Sequence, residues 1–147
     1  MGKRREFNIT GHAHELTFSC FRSRPLLKSD FACKKLAQSM VQAREKHSFG
    51  LWAYVFMPNH VHLLIYPPKD KYYIGKILTS IKQSTARGIT NYLRKYNKDL
   101  LRMMRTGRDG DSFRFWQDGG GYDRNIVSYE ALINAVNYIH NNPVRKG

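Results

Sequence analysis

The sequence predicts an α+β fold, a ferredoxin-like sandwich in which an antiparallel sheet carries helices on one face, followed by a C-terminal helix. Apolar and polar residues alternate around Leu16 and Phe18, which is the period of a half-buried strand. Two apolar runs, Leu51–Phe56 and Val61–Tyr66, flank a turn and predict a pair of strands. Longer segments on either side of this pair repeat apolar residues at helical spacing. The chain order is then strand, helix, two strands, helix, strand and a last helix.

The bounds of the elements follow from helix caps and breakers. Ser29 or Asp30 caps the first helix, and Gly88 leaves room for a kink or break in the second. The predicted elements are a strand over 14–21, a helix from 30 to about 46, a helix from about 72 to 96, a loop over 97–111, a fourth strand over 112–117, and a helix from about 128 that ends before Pro143.

Composition restricts the class of protein. The 147 residues suffice for one domain over 1–147, with residues 1–10 as a basic arm. Hydrophobic residues make up 41% of the chain, which is a globular composition. Lys and Arg number 25 against 11 acidic residues, and the formal charge of +14 predicts a polyanionic partner, usually nucleic acid. Charge alone does not separate DNA from RNA, or an enzyme from a binding protein.

The cysteines and the apolar segments indicate the compartment. Cys20 and Cys33 lack the spacing of a redox or zinc motif and suit a reduced environment. No apolar run approaches the ~18 residues of a membrane span, and no signal region follows the basic N-terminus. We therefore expect a cytoplasmic protein without a membrane partner.

Two histidines form the most informative pair. His60 and His62 are two residues apart on a predicted strand, so both imidazoles leave the same face of the sheet. Val61, Leu63 and Ile65 take the opposite, buried face. Two neighbouring imidazoles on a rigid strand make two-thirds of a divalent-metal site. The alternative is that they are ordinary polar residues on an open face.

The last helix carries a tyrosine that core packing does not explain. At about 100° per residue its apolar side is formed by Tyr129, Leu132, Ile133, Val136, Ile139 and His140. Tyr138 projects roughly opposite that side. Either Tyr138 has a chemical role or it is an ordinary surface tyrosine.

Three blocks of the sequence resemble one protein family. The first is Asn59-His-Val-His-Leu-Leu64, preceded by Met57-Pro58, and it resembles the His-hydrophobe-His signature of the HUH endonucleases. The second is Trp116-Gln117 with Tyr122-Asp-Arg-Asn-Ile126, and the third is Tyr138-Ile-His-Asn-Asn-Pro-Val-Arg145. Together they look like the single-tyrosine transposases of insertion sequences, most of all the branch associated with repetitive extragenic palindromes.

The resemblance implies a mechanism. Tyr138 matches the nucleophile, which attacks a DNA phosphate and forms a 5′-phosphotyrosine. His60 and His62 match the ligands of a divalent metal, Mg²⁺ or Mn²⁺, that polarises the phosphate. Asn142, one helical turn after the tyrosine, is the candidate third ligand, unless it caps the helix end before Pro143.

The resemblance and the charge also suggest partners. We expect single-stranded or hairpin DNA as the substrate, and a homodimer is one possible assembly. The candidate DNA-binding residues, chosen for charge or an aromatic ring, are Arg4, Arg5, Lys82, Arg87, Arg124 and Trp116. Two alternatives stay open, a replication-initiator or relaxase-like HUH nickase and a non-catalytic basic nucleic-acid-binding module.

Overall fold

A computed structural model describes residues 12–67, 72–107, 113–118 and 121–146 of the chain, with side chains to residue 141. Its strands are β1 (Ala13–Ser19), β2 (Gly50–Met57), β3 (His60–Tyr66) and β4 (Tyr122–Ile126). Its helices are α1 (Asp30–His47), α2 (Ile74–Tyr96), α3 (Lys98–Arg102) and α4 (Tyr129–Lys146). Two short 3₁₀ turns, Phe21–Ser23 and Leu26–Lys28, connect β1 to α1.

The four strands form one antiparallel sheet in the order β2-β3-β1-β4. The strand that carries the two histidines, β3, is therefore central, with β2 on one side and β1 on the other. In this register Thr17 lies opposite His62 and Ser19 lies opposite His60. The predicted ferredoxin-like sandwich is confirmed, as is the strand pair around the histidines.

Helices α1 and α2 cover one face of the sheet. The larger apolar core lies there and includes Leu16, Phe18, Val61, Leu63 and Ile65 of the sheet, Leu36 and Met40 of α1, and Ile77 and Ile81 of α2. Helix α1 begins where its cap predicts, because the Ser29 hydroxyl accepts a hydrogen bond from the Ala32 N–H at 3.4 Å. Helix α2 continues through Gly88 without a break.

Helix α4 packs on the opposite face and is the only helix there among the described residues. A smaller apolar cluster joins it to the sheet and consists of Ala13, Ala53, Leu64, Ile126, Ala135 and Ile139. Because neighbouring residues of a strand face opposite sides, His60 and His62 share this face with Leu64. The histidines therefore lie under the helix that carries Tyr138.

The fourth strand was predicted in the wrong place. It spans Tyr122–Ile126, whereas Phe113–Gln117 forms only isolated bridges, one of them between Trp116 and Cys20. Phe115 and Trp116 are buried, but they fill the end of the core beside β1 rather than extending the sheet. Residue 112 of the predicted strand lies outside the described residues.

Two helix predictions also need correction. The predicted loop after α2 contains the short helix α3, whose first turn is capped by Asn97, since its Oδ1 accepts from the Leu100 N–H at 3.1 Å. Helix α4 passes Pro143 and reaches Lys146. The proline is in the last turn, so the missing N–H and the clash of its ring with the carbonyl of residue 139 affect only the end of the helix. No helix of the described residues is long and apolar enough to cross a membrane.

The backbone at Gly121 requires a residue without a Cβ, and this requirement can be tested. Its φ of +67° lies in the left-handed region, and a Cβ built there would overlap the carbonyl oxygen of Thr17 on β1. We expect Gly121→Ala to lower the free energy of unfolding by about 3 kcal/mol, because both the backbone and the β1–β4 pairing must shift. Chemical denaturation followed by circular dichroism measures this loss.

Gly107→Ala is the matched control. Gly107 also has a positive φ, +76°, but a Cβ there would meet no atom of the described residues within 4 Å. It should lose about 1 kcal/mol, the strain of a left-handed alanine alone. Equal losses in the two variants would show that the contact with Thr17 is unimportant.

Candidate active site

The two histidines are held side by side on β3. Their ring centroids are 4.8 Å apart, the rings are nearly perpendicular, and the His60 Nε2 lies 3.1 Å from the His62 Nε2. His62 is 6% exposed, so the neighbouring strands and α4 restrict its rotamers. Packing around His62 therefore holds its ring in place before any ligand binds.

The outer ring nitrogens have partners that constrain the tautomers. The His60 Nδ1 lies 2.7 Å from the Asn59 Oδ1, and the His62 Nδ1 lies 3.0 Å from the Thr17 Oγ1. An amide oxygen only accepts, so the His60 Nδ1 carries a proton, and in the neutral ring its Nε2 then presents a lone pair. The Thr17 hydroxyl can either donate or accept, so it supports both tautomers of His62.

This geometry suits a shared divalent cation. Imidazole nitrogens bind Zn²⁺ at about 2.0–2.1 Å, so two ligands of one ion lie about 2.8–3.0 Å apart at a right angle and about 3.3–3.4 Å apart at a tetrahedral angle. The Nε2 separation of 3.1 Å lies between these two distances. When the His62 Nδ1–H donates a hydrogen bond to the Thr17 hydroxyl, the Nε2 lone pairs of both histidines can point at one ion. The oxygen atoms of Thr17 and Asn59 then hold the two rings through their Nδ1 atoms.

Within the described part of the chain, the usual residue types do not supply a third ligand. Among the described residues, no group of three or more His, Cys, Asp or Glu could hold a metal ion. Asn142 lies on α4, but its side chain is outside the described part of the chain. Its predicted role as a ligand stays a prediction.

Tyr138 lies next to this pair. Its ring is perpendicular to that of His62 at a centroid distance of 5.5 Å, and the side chain is 44% exposed. The buried residues of α4 nearest to it are Ala135 and Ile139. Tyr138 is therefore at the edge of the packed face, beside the histidines, and not opposite that face as the helical spacing predicted.

The orientation of α4 corrects other details of that prediction. Tyr129 is 78% exposed, and Ile133 and His140 are also exposed. The helix instead turns its alanines to the sheet, because Ala131 and Ala135 allow close approach to Ala13 and Ala53. The predicted buried face was wrong because every large apolar side chain was counted as pointing toward the sheet.

The four predicted DNA-binding residues that the structure describes do not form one surface. Arg4 and Arg5 lie outside the described residues. Arg124 is on the face of β4 that also carries the site, and its Nη2 lies 2.6 Å from the Glu15 Oε2. Arg87 lies on the far side of the molecule, on the outer surface of α2.

Trp116 and Lys82 lie close together near the larger core. The Trp116 ring is 6% exposed, packs edge-on against Phe18, and donates its Nε1–H to the Lys82 carbonyl oxygen at 3.0 Å. The Lys82 Nζ lies 5.9 Å from the centroid of the Phe18 ring. In this arrangement the face of the indole is not open for stacking on a base.

Sequence reasoning missed a pair of stacked aromatic residues on the face of the sheet that carries the two histidines. Trp52 and Tyr66 stack with ring centroids 4.8 Å apart and an interplanar angle of 7°. With Tyr129 they line a small cavity of about 230 Å³ beside the start of α4. Trp52 sits next to a β-bulge between Leu51 and Ala53, so alternation along β2 alone does not assign its face.

The chain was compared with known protein families and structures. The family model described as "Transposase IS200 like" matches residues 8–142. The chain is similar to a REP-associated tyrosine transposase solved bound to a REP hairpin, with 20% identity, a TM-score of 0.73, and coverage of 100% of this chain and 75% of that one.

A second solved structure has a lower similarity. It is a putative transposase from Deinococcus radiodurans R1, with 18% identity, a TM-score of 0.56, and coverage of 96% and 97% of the two chains. At these identities the structural matches demonstrate the shared fold. No curated protein matches the chain in sequence.

Proposed function

Because the chain belongs to the IS200-like transposase family, we propose that it is a metal-dependent endonuclease and strand transferase for single-stranded DNA beside a hairpin or palindromic end. The observation that carries the proposal is the packing of Tyr138 against His62, which in turn contacts His60. A half-exposed tyrosine beside two converging imidazoles provides a nucleophile and metal ligands within one small region.

The proposed reaction is a transesterification at one phosphate. The Tyr138 oxygen bonds to phosphorus and the bond from phosphorus to the 3′ oxygen breaks. The proton lost by the phenol balances the proton gained by the leaving 3′-hydroxyl. One DNA end then carries a free 3′-hydroxyl and the other is a 5′-phosphotyrosine. Attack on that linkage by another 3′-hydroxyl reverses the chemistry and completes strand transfer.

The chain's own residues position the reacting groups. His60 and His62 would hold the divalent cation, Mg²⁺ or Mn²⁺, and Asn59 and Thr17 orient their rings from behind. When bound, the cation polarises the scissile phosphate and offsets the negative charge that develops there. Helix α4 fixes the phenol at the edge of the sheet, where 44% exposure leaves it open to a strand.

The alternatives make different predictions. A non-catalytic binding module has no use for a tyrosine placed against a histidine pair. A replication-initiator or relaxase-like nickase shares the chemistry, but the family match over residues 8–142 favours a transposase.

The proposal is tested with a synthetic DNA hairpin flanked by randomised single-stranded ends and with Mn²⁺ or Mg²⁺. A protein–DNA adduct that survives denaturant and maps by mass spectrometry to the peptide containing Tyr138 is the expected result. Excess chelator should prevent it. Tight hairpin binding without any adduct would favour the binding module.

The role of the Thr17 hydroxyl can be tested by measuring metal affinity, which does not depend on DNA cleavage. Thr17→Val keeps the shape of the side chain and removes the group 3.0 Å from the His62 Nδ1. We expect Mn²⁺ affinity, measured by titration calorimetry, to fall about tenfold, because in the metal-binding tautomer the His62 Nδ1–H loses its hydrogen-bond acceptor. Thr90→Val on α2 is the control, and equal affinities in both variants would exclude this role.

A further inference from the structure

The stacked aromatic pair on β2 and β3 takes no part in the proposed reaction. The Trp52 and Tyr66 rings are nearly parallel, and 46% of the Trp52 side chain is exposed on the face of the sheet that carries Tyr138. An indole that packing does not cover keeps apolar surface in contact with water, which favours a ligand that covers it.

The backbone of β2 holds the indole in this position. The bulge between Leu51 and Ala53 interrupts the alternation of side chains at Trp52, whose ring lies against that of Tyr66. Gly50 leaves space for the indole, because a Cβ there would lie 3.2 Å from the Trp52 Nε1. Tyr66 packs in turn against the apolar cluster under α4. The sheet therefore orients the aromatic pair before any ligand binds.

The pair forms one wall of the cavity of about 230 Å³ at the start of α4. Tyr129 contributes a third aromatic ring, and His12 and Ser128 contribute polar groups. The Asn125 Nδ2 lies 3.2 Å from the His12 Nδ1 and can only donate, so the Nε2 of a neutral His12 carries a proton. No Asp, Glu, Lys or Arg is among the described residues that line the cavity. Aromatic faces with uncharged donors suit a planar heterocycle better than a phosphate.

The cavity is on the same face of the sheet as the proposed nucleophile. Tyr129 and Tyr138 are nine residues apart on α4, about 13 Å along the helix axis. At ~3.4 Å between neighbouring phosphates of a stacked strand, this distance is about four nucleotides, and fewer when the strand is extended. A strand bound at Tyr138 can therefore reach the cavity without crossing to the other face.

We propose that an unpaired nucleobase of the DNA strand to be cut stacks on the Trp52–Tyr66 pair, a few nucleotides from the scissile phosphate. The inference rests on the proposed function for the identity of that strand. Every base has a π face, so an aromatic platform holds a single strand without requiring one sequence. A base inside a duplex has both faces covered by its neighbours. The site therefore selects unpaired nucleotides, and its distance from Tyr138 sets the length of single strand that must flank the hairpin.

Tryptophan fluorescence reports the stacking directly. The chain has two tryptophans, and Trp116 is 6% exposed, so a base from solution reaches Trp52. A synthetic hairpin with single-stranded ends should quench the fluorescence more than the same hairpin with blunt ends, because the stacked base covers the indole. Excess chelator is present throughout, so that no strand is cut. Trp52→Leu should abolish the difference between the two hairpins, and absence of that difference in the native protein would overturn the proposal.

Affinities measured by fluorescence anisotropy of labelled DNA give a second criterion. Trp52→Leu should bind the hairpin with single-stranded ends about tenfold more weakly and the blunt hairpin within about twofold of the native protein. The slope of log affinity against log salt should not change, since no phosphate contact is lost. Trp52→Tyr should recover most of the affinity, because a tyrosine also presents an aromatic face.

Tyr54→Leu is the matched control. Tyr54 is an exposed aromatic residue of the same strand, but its partner in the register is Leu63, on the other face of the sheet. It should not alter the difference in affinity between the two hairpins, and circular dichroism verifies that all variants are folded. Equal weakening of both hairpins by Trp52→Leu would show that the pair is only structural and would overturn the proposal. Binding in chelator needs no cleavage, so failure to detect a Tyr138 adduct would refute the proposed reaction and leave this result intact.

Discussion

Tyr138→Phe should reduce formation of the covalent protein–DNA adduct by at least about 10³-fold, because it removes the attacking oxygen itself. The change deletes one hydroxyl from a side chain that is 44% exposed. The variant should therefore fold like the native protein, and its affinity for the hairpin should stay within about twofold of the native value. The adduct is quantified by denaturing electrophoresis with a 5′- or 3′-labelled hairpin carrying single-stranded ends.

Tyr129→Phe is the matched control for this variant. Tyr129 is on the same helix, is more exposed than Tyr138, and lies nine residues away, about 13 Å along the axis. It has no ring contact with the histidine pair among the contacts of the described residues. Full adduct formation is expected with this variant. An adduct that persists in Tyr138→Phe, or that maps to Tyr122 or Tyr129, would identify a different nucleophile.

Replacing His60 or His62 should reduce DNA cleavage nearly as much as Tyr138→Phe reduces adduct formation. His60→Ala or His62→Ala removes one of two imidazole nitrogens 3.1 Å apart, so one cation can no longer be held by both. We expect cleavage of single-stranded DNA to fall about 10³-fold with hairpin binding preserved. Initial cleavage rates over a range of Mn²⁺ concentrations measure this effect, and calorimetry follows the accompanying loss of metal binding.

His140→Ala controls for removal of an imidazole from the same region. His140 is exposed on α4, two residues beyond the tyrosine, and should be replaceable without loss of cleavage. Because His62 is buried, the unfolding temperature of the His62→Ala variant should also be measured. A drop in stability and hairpin affinity in parallel with cleavage would indicate that the histidines are structural.

The sequence predicted the part of the fold that depends on apolar patterning. Alternation through Val61, Leu63 and Ile65 places the histidines together on the other face, and the structure has that arrangement. The strand β4 escaped prediction because Ile126 is its only buried apolar residue and its central residues make polar contacts. Asp123 bonds to the buried His14 at 2.8 Å and Arg124 pairs with Glu15, and neither interaction has a signature in hydropathy.

The site was only partly accessible to the same reasoning. Spacing placed His60 and His62 on one face, and the motif resemblance singled out Tyr138. Thr17 joins the site only through the register that sets it opposite His62, across 45 residues of chain. The rotation of α4 depends on how closely Ala135 approaches the sheet, which is a property of packing rather than of periodicity.

The small cluster under α4 has a consequence for local stability. Three of its six buried residues are alanines, Ala13, Ala53 and Ala135, which bury little apolar area compared with the leucine and isoleucine side chains under α2. Opening α4 therefore requires less free energy than opening α2, and it leaves the larger core intact. The proposed nucleophile, Tyr138, is on this segment, so we expect that it can move away from the histidines with an attached DNA end without global unfolding of the protein.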